Sequence, residues 1–125
     1  MSYAIDLGIL DGKTAISDLR AWVTFADDKR GVSFDLLIRY LTPAEQQEWA
    51  VSVKDRETTD ADWAPWLAHA EDWRGIVGSD GAAIPFDRAR LEKLWAVDHG
   101  FRFWFLREAQ KFDNFRCQGV TSPAA

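Results

Sequence analysis

Two histidines and one cysteine are the residues of this chain best suited to proton transfer or nucleophilic chemistry. His69 or His99 would need a partner carboxylate and a nucleophile at hand to act as a general base, and the sequence does not place them. Cys117 would need positive surroundings to become a reactive thiolate, and Arg116 supplies one charge beside it. We therefore expect a surface or packed role for His69, and we expect no catalytic residue and no enzymatic activity.

An acidic segment, D-R-E-T-T-D-A-D at residues 55–62, could suggest a cation site. A calcium loop of the EF-hand type needs a glycine at its sixth position and a glutamate at its twelfth, and neither falls into place. The glycines at 75, 78 and 81 do not follow the G-x-G-x-x-G pattern of a phosphate-binding loop. The sequence thus predicts no metal and no cofactor, and a solvated linker at 55–62 in which Thr59 or Asp60 caps the next helix.

Length, charge and cysteine content narrow the class of protein further. The 125 residues predict one globular domain over 1–115 with a flexible tail at 116–125. A net charge of −5 without a basic stripe argues against nucleic acid as a partner. The single cysteine fits a reducing compartment. The chain shows no apolar run of membrane-spanning length and no basic leader at its start, so we expect no membrane partner and a cytoplasmic location.

Residues 20–41 carry the clearest strand pattern. A β-favouring run W-V-T-F is followed by a polar loop with a glycine, and then apolar side chains alternate from Val32 to Tyr40. This pattern predicts an antiparallel hairpin. A second hairpin is predicted around Asp80-Gly81, with Pro85 limiting its second strand to an edge. Residues 1–12 suggest a short strand or an ordered arm.

Helix signals fill most of the remaining chain. Thr42, Pro43 and Glu45 predict a capped helix that runs to about residue 54. Further helices are predicted at 61–70, at 88–97 with an end at Gly100, and at 101–115. The sequence therefore predicts an α+β fold, in which the N-terminal antiparallel β-hairpin packs against a C-terminal group of three to four helices.

Aromatic residues are abundant, with seven Trp and eight Phe. The apolar arc of the last helix is wider than one contact needs, because Phe103 and Leu106 lie beside the face formed by Phe101, Trp104 and Phe105. We expect such extra aromatic surface to bind another protein or a second copy of the chain. The predicted partner-binding residues are Phe103, Leu106, Trp73 and Trp66.

The order of these segments resembles the tail assembly chaperones of long-tailed bacteriophages and prophages. The resemblance covers about residues 20–110, from the hairpin through T-P-A-E and D-W-R-G-I-V-G-S-D-G-A-A-I-P-F to the helix R-A-R-L-E-K-L. It implies that the chain binds the aggregation-prone tape measure protein and assists tail-tube assembly, without catalysis, in the cytoplasm of a bacterial host. The tape measure or tail tube protein is then the implied partner. The positions that carry the resemblance are Trp73, Gly75, Asp80, Gly81, Pro85 and Phe86.

A second hypothesis is a phage- or mobile-element-encoded inhibitor or adaptor that binds a host protein. It would have the same composition but a single defined partner. A small enzyme is the third hypothesis, and only the two histidines and scattered carboxylates support it.

Overall fold

A three-stranded antiparallel sheet with strand order β1-β2-β3 forms the centre of the fold. The structure is a computed structural model that describes residues 2–117. Its strands are β1 (Arg20–Asp27), β2 (Val32–Arg39) and β3 (Ala70–Arg74). Five α-helices accompany them in the described part of the chain, and two of the three longer ones follow the sheet. The fold class is α+β, as predicted.

The predicted hairpin is confirmed as β1 and β2, which pair over eight positions. Phe25 lies opposite Phe34, and their ring centroids are 5.5 Å apart. Alternate residues of β2, namely Phe34, Leu36 and Ile38, are buried, as period-two patterning requires of one face of a sheet. The helices that follow the sheet in the chain pack against this face.

The second predicted hairpin forms only in part. The segment before the turn forms β3, which begins at Ala70 and pairs with β2, so that Trp73 lies opposite Leu36. Beyond β3, the turn at Asp80-Gly81 brings Val77 and Ala83 together in one isolated bridge, with Gly81 at a φ of +84°. Residues 70–74 therefore pair mainly with β2, and the turn itself joins only one pair of residues.

Helix α2 (Pro43–Ser52) begins as predicted. Thr42 and Glu45 form a capping box, in which the Thr42 hydroxyl accepts from the Glu45 amide at 3.2 Å. The helix predicted over 61–70 is wrong in its extent. A 3-10 turn (Asp60–Trp63) leads into the short helix α3 (Ala64–Leu67), and Ala70 already belongs to β3.

Helices α4 (Arg88–Val97) and α5 (His99–Ala109) are separated by Asp98 alone. The bounds predicted for α4 are confirmed, but Gly100 does not end it. Asp98 starts α5 instead, because its carboxylate accepts from the amide of Phe101 at 3.0 Å. The predicted helix to residue 115 is also wrong: α5 ends at Ala109, and residues 112–114 form a 3-10 turn.

The N-terminal segment is an arm with a single helical turn, α1 (Leu7–Leu10), rather than a strand. The arm lies along the end of the described chain, since the Asp6 amide donates to the carbonyl of Arg116 at 2.7 Å. Arg116 and Cys117, predicted to begin the flexible tail, both contact the carbonyl of Ala4. The rest of that predicted tail, 118–125, lies outside the described residues.

The core lies between the inner face of the sheet and helices α4 and α5, and it is largely aromatic. Phe25 packs edge-on against Trp104 with a centroid distance of 5.2 Å, and Phe101 lies beside both rings. Burial of each such ring contributes roughly 1.5–3 kcal/mol. The largest fully buried side chains are Phe101, Phe105, Phe115, Leu19, Leu36, Ile38 and Leu91. Within residues 2–117, no helix has the length and apolar character needed to cross a membrane.

Candidate functional site

A surface groove lies where the end of β1 and the hairpin loop meet helix α5. It encloses about 360 Å³. Its apolar lining comes from Phe25, Ala26, Phe103 and Trp104, and its charged lining from both sides of the groove. We call it the Phe103 groove. The charged residues that line it are Asp27, Asp28, Lys29 and Arg107.

Phe103 is the most exposed large hydrophobic side chain in the described part of the chain, with 68% of its surface accessible. Its neighbours Phe101, Trp104 and Phe105 are buried against the sheet. Because successive helix residues are rotated by about 100°, Phe103 cannot join that face without turning the others outward. The sequence prediction that Phe103 lies beside the buried face agrees with this geometry.

Asp98, which lies outside the groove lining, links the hairpin loop to the start of α5. Its carboxylate caps α5 and also lies 2.7 Å from the guanidinium of Arg30 in the hairpin loop. The Arg30 hydrogen bond, followed by the amide of Phe101, holds the pKa of Asp98 below its ordinary value. The carboxylate is therefore ionised at neutral pH and ties the loop to the start of α5.

The other predicted partner-binding residues lie deeper. Leu106 is half-buried and packs against the core. Trp73 is 7% exposed, and its indole N–H donates to the carbonyl of Ile84 at 2.7 Å. Trp66 is 6% exposed and packs edge-on against Trp49. The burial of Trp73 weighs against its direct contact with a partner. Trp66 offers only the small part of its ring that lines a neighbouring pocket, whereas Phe103 is fully available.

His69 is packed in the interior, with 3% of its surface exposed. Its Nδ1 lies 2.8 Å from the carbonyl oxygen of Arg39. Because a carbonyl only accepts hydrogen bonds, Nδ1 is the ring nitrogen that carries the proton. Its Nε2 lies 3.1 Å from a carboxylate oxygen of Glu45 and 3.4 Å from the Arg39 guanidinium. Burial lowers the pKa of His69 most, and the Arg39 charge lowers it further, while the Arg39 carbonyl and Glu45 act in the opposite direction.

This arrangement differs from that of a nucleophile activated by a base. The Thr42 hydroxyl, at the start of α2, contacts Glu45 at 3.1 Å rather than the imidazole. Glu45 thus stands between the hydroxyl and the histidine, whereas catalysis needs the hydroxyl on the histidine itself. The cluster connects the end of β2, the start of α2 and the turn that precedes β3. Sequence analysis missed the pairing of His69 with Glu45, because no local pattern links residues that are 24 positions apart.

In the acidic segment 55–62, the carboxylate of Asp62 contacts other residues of the same segment. Asp62 accepts from the Thr59 amide at 2.7 Å and pairs with Arg56 at 2.6 Å, and these contacts strongly lower the pKa of its carboxyl group. Of the two predicted caps, Thr59 is the N-cap residue of the following 3-10 turn, and its amide donates to the Asp62 carboxylate. Across residues 2–117, no three His, Cys, Asp or Glu side chains come together in a way that could hold a metal ion. His99 is exposed at the first turn of α5.

Comparisons of the chain with protein-family models, with curated proteins and with solved structures found no match.

Proposed function

We propose that this chain is a non-catalytic, protein-binding module of the phage tail assembly chaperone type, which binds the tape measure protein and assists tail-tube assembly. The observation that carries the binding part of the proposal is Phe103, which is 68% exposed beside a groove of about 360 Å³. The resemblance of the segment order to that family supports the choice of partner. The proposed location is the cytoplasm of a bacterial host.

The Phe103 groove suits an apolar segment of a partner. Its floor is formed by Phe25 and Trp104, which the core already holds in place, so little side-chain ordering accompanies binding. An aromatic ring in such a position is typical of the anchor residues that dominate protein interfaces. The rim carries both acidic and basic side chains. Such a mixed rim can orient a partner segment of either charge.

Co-expression with the tape measure protein encoded in the same genome tests the proposal. We expect the partner to stay in the soluble fraction and to co-purify with this chain. The variant Phe103→Ser should reduce the co-purified amount several-fold, because the groove loses its anchor. Val97→Ser is the matched control: Val97 is 64% exposed on α4 and lies outside the groove lining, so its replacement should have little effect.

Two results would overturn the proposal. The first is a tape measure protein that aggregates equally with and without this chain. The second is equal co-purification by wild type and Phe103→Ser, which would remove the observation that carries the binding part of the proposal. Recovery of one host protein at a fixed ratio, in place of the tape measure protein, would favour the inhibitor or adaptor hypothesis.

A further inference from the structure

A second pocket, of about 250 Å³, lies between α2 and the start of α3, on residues that the Phe103 groove does not use. We call it the α2–α3 pocket. Two tryptophans form much of its wall, Trp49 from α2 and Trp66 from α3, and their ring planes stand at 86° with centroids 5.7 Å apart. Drug-sized ligands occupy pockets of roughly 300–1,000 Å³, so this pocket suits a single side chain.

Helix α2 points one face into the pocket. Glu45, Glu48, Trp49 and Ser52 follow the i, i+3, i+4, i+7 spacing of a helix face, and all four line the pocket. Trp49 is held in place, because its indole N–H donates to the carbonyl of Asp62 at 2.6 Å and its ring stacks on Trp63 at 4.6 Å. The aromatic wall is therefore formed before anything binds.

The charge of the pocket is negative. The Glu45 carboxylate lies 3.1 Å from Nε2 of His69 and 3.7 Å from the guanidinium of Arg39. Glu48 is exposed, and among residues 2–117 no cationic side chain pairs with it. The lining contains no lysine or arginine, and His69 is buried and held neutral by that burial. Glu48 thus presents an uncompensated charge beside the rings.

Tryptophan faces next to carboxylates attract organic cations, since the ring quadrupole and the negative charge act in the same direction. Elsewhere in this chain, guanidinium groups already cover Trp22, Phe86, Trp95 and Tyr3. In the part of the chain that the structure describes, Trp49 and Trp66 have no such partner. We propose that the α2–α3 pocket binds a lysine or arginine side chain of the protein partner. This inference rests on the proposed function for the partner, but the pocket chemistry can be measured without it.

The direct test titrates isotope-labelled full-length protein with N-acetyl-lysine methylamide and follows the indole N–H signals of Trp49 and Trp66 by NMR. N-acetyl-norleucine methylamide is the probe control, because it has the chain of lysine without its charge. We expect signal shifts at the pocket with the lysine probe only. Glu48→Gln should weaken the interaction about threefold or more, as the loss of an exposed ion pair would, while the tryptophan rings remain.

Glu57→Gln is the matched variant, since it removes the same charge from an exposed glutamate outside the pocket. It should leave the titration unchanged. The proposal is overturned if the pocket signals do not move at millimolar probe, if norleucine moves them equally, or if Glu48→Gln and Glu57→Gln respond alike.

The partner experiment separates this inference from the proposed function. In co-purification with the tape measure protein, Glu48→Lys should lose most of the bound partner and Glu57→Lys should retain it. If the lysine probe binds but the tape measure protein does not, the proposed function fails and the pocket chemistry stands. If the tape measure protein binds equally to both variants, the pocket is not its docking site and this inference fails alone.

Discussion

The imidazole of His69 lies between the end of β2 and the start of helix α2, since its Nδ1 donates to the Arg39 carbonyl at 2.8 Å and its Nε2 lies 3.1 Å from a carboxylate oxygen of Glu45. The same glutamate closes the capping box of that helix through Thr42. Arg39, on the central strand, lies 3.7 Å from Glu45 and 3.9 Å from Glu71. The buried imidazole therefore contacts both the end of β2 and the start of α2, and its protonation has consequences for stability.

We expect the free energy of unfolding to fall as the pH drops below about 6.5, the ordinary pKa of histidine. Burial lowers the pKa of His69 in the folded protein, so the unfolded chain takes up the proton first. The contribution of this residue is complete above the unfolded pKa and is lost as the pH falls toward the folded one. Its slope cannot exceed about 1.4 kcal/mol per pH unit. Urea unfolding at a series of pH values measures the free energy of unfolding and so its dependence on pH.

The variant His69→Gln should flatten this part of the pH profile, because an amide does not titrate. His99→Gln is the control, since His99 is exposed, and it should leave the profile as it is. A wild-type protein that becomes more stable between pH 6.5 and pH 5 would contradict the prediction. That result would mean that the Glu45 carboxylate outweighs burial and the Arg39 charge.

Thr42→Ala should destabilise the protein by about 1 kcal/mol, the usual cost of losing a helix N-cap. Thr42 is 5% exposed, and its hydroxyl accepts from the amide of Glu45 at 3.2 Å. Without the hydroxyl, that amide loses its partner at the first turn of α2. Thermal unfolding followed by circular dichroism checks the change. Thr58→Ala, at an exposed threonine of the linker, should shift the melting temperature little, and equal effects of the two variants would exclude the capping explanation.

Asp98→Ala should cost about 1 kcal/mol or more, because the first turn of α5 loses its cap. Asp98→Asn should cost less, since the amide oxygen still accepts from Phe101 while only the contact with Arg30 weakens. The pKa of Asp98 is lowered by Arg30, so the stability from its charge is present above about pH 4 and is lost as the pH falls through the folded pKa. Unfolding curves of both variants at pH 7 and pH 3 test this, and identical losses for Ala and Asn at pH 7 would show that the ion pair, not the cap, matters.

Local patterns predicted the parts of the fold that local chemistry controls. The alternation from Val32 onward predicted β2, and the Thr42 capping box predicted the start of α2, because each signal lies within a few residues of the structure it forms. Strand β3 reads A-E-D-W-R and has no clear alternation. It is a strand because β2 offers it an edge, and a single sequence does not display that tertiary effect.

The junction at Asp98 shows how two local signals compete. Gly100 is a good helix end, and Asp98 is a good helix start, and both were present in the same tripeptide. The structure follows Asp98, because the cap and the contact with Arg30 reinforce each other. The candidate binding surfaces show the same limit of prediction from local sequence patterns. The exposed position of Phe103 followed from helix geometry, whereas the α2–α3 pocket depends on the packing of Trp49 against Trp66, which only the fold brings together.

Phe103 and Phe105 provide the sharpest comparison, since they lie two residues apart on α5 with opposite burial, 68% and 0% exposed. Phe105→Ala should cost about 3–5 kcal/mol, because it removes a ring stacked on Phe101 and leaves a cavity. Phe103→Ser should leave the melting temperature nearly unchanged and should reduce partner binding or self-association. Leu106→Ser should lower the melting temperature and also reduce partner binding or self-association, since Leu106 is half-buried and packs against the core. Calorimetry and sedimentation of the three variants measure the two quantities separately. A large loss of stability in Phe103→Ser would show that its ring belongs to the core and would remove the main support for the Phe103 groove as a binding surface.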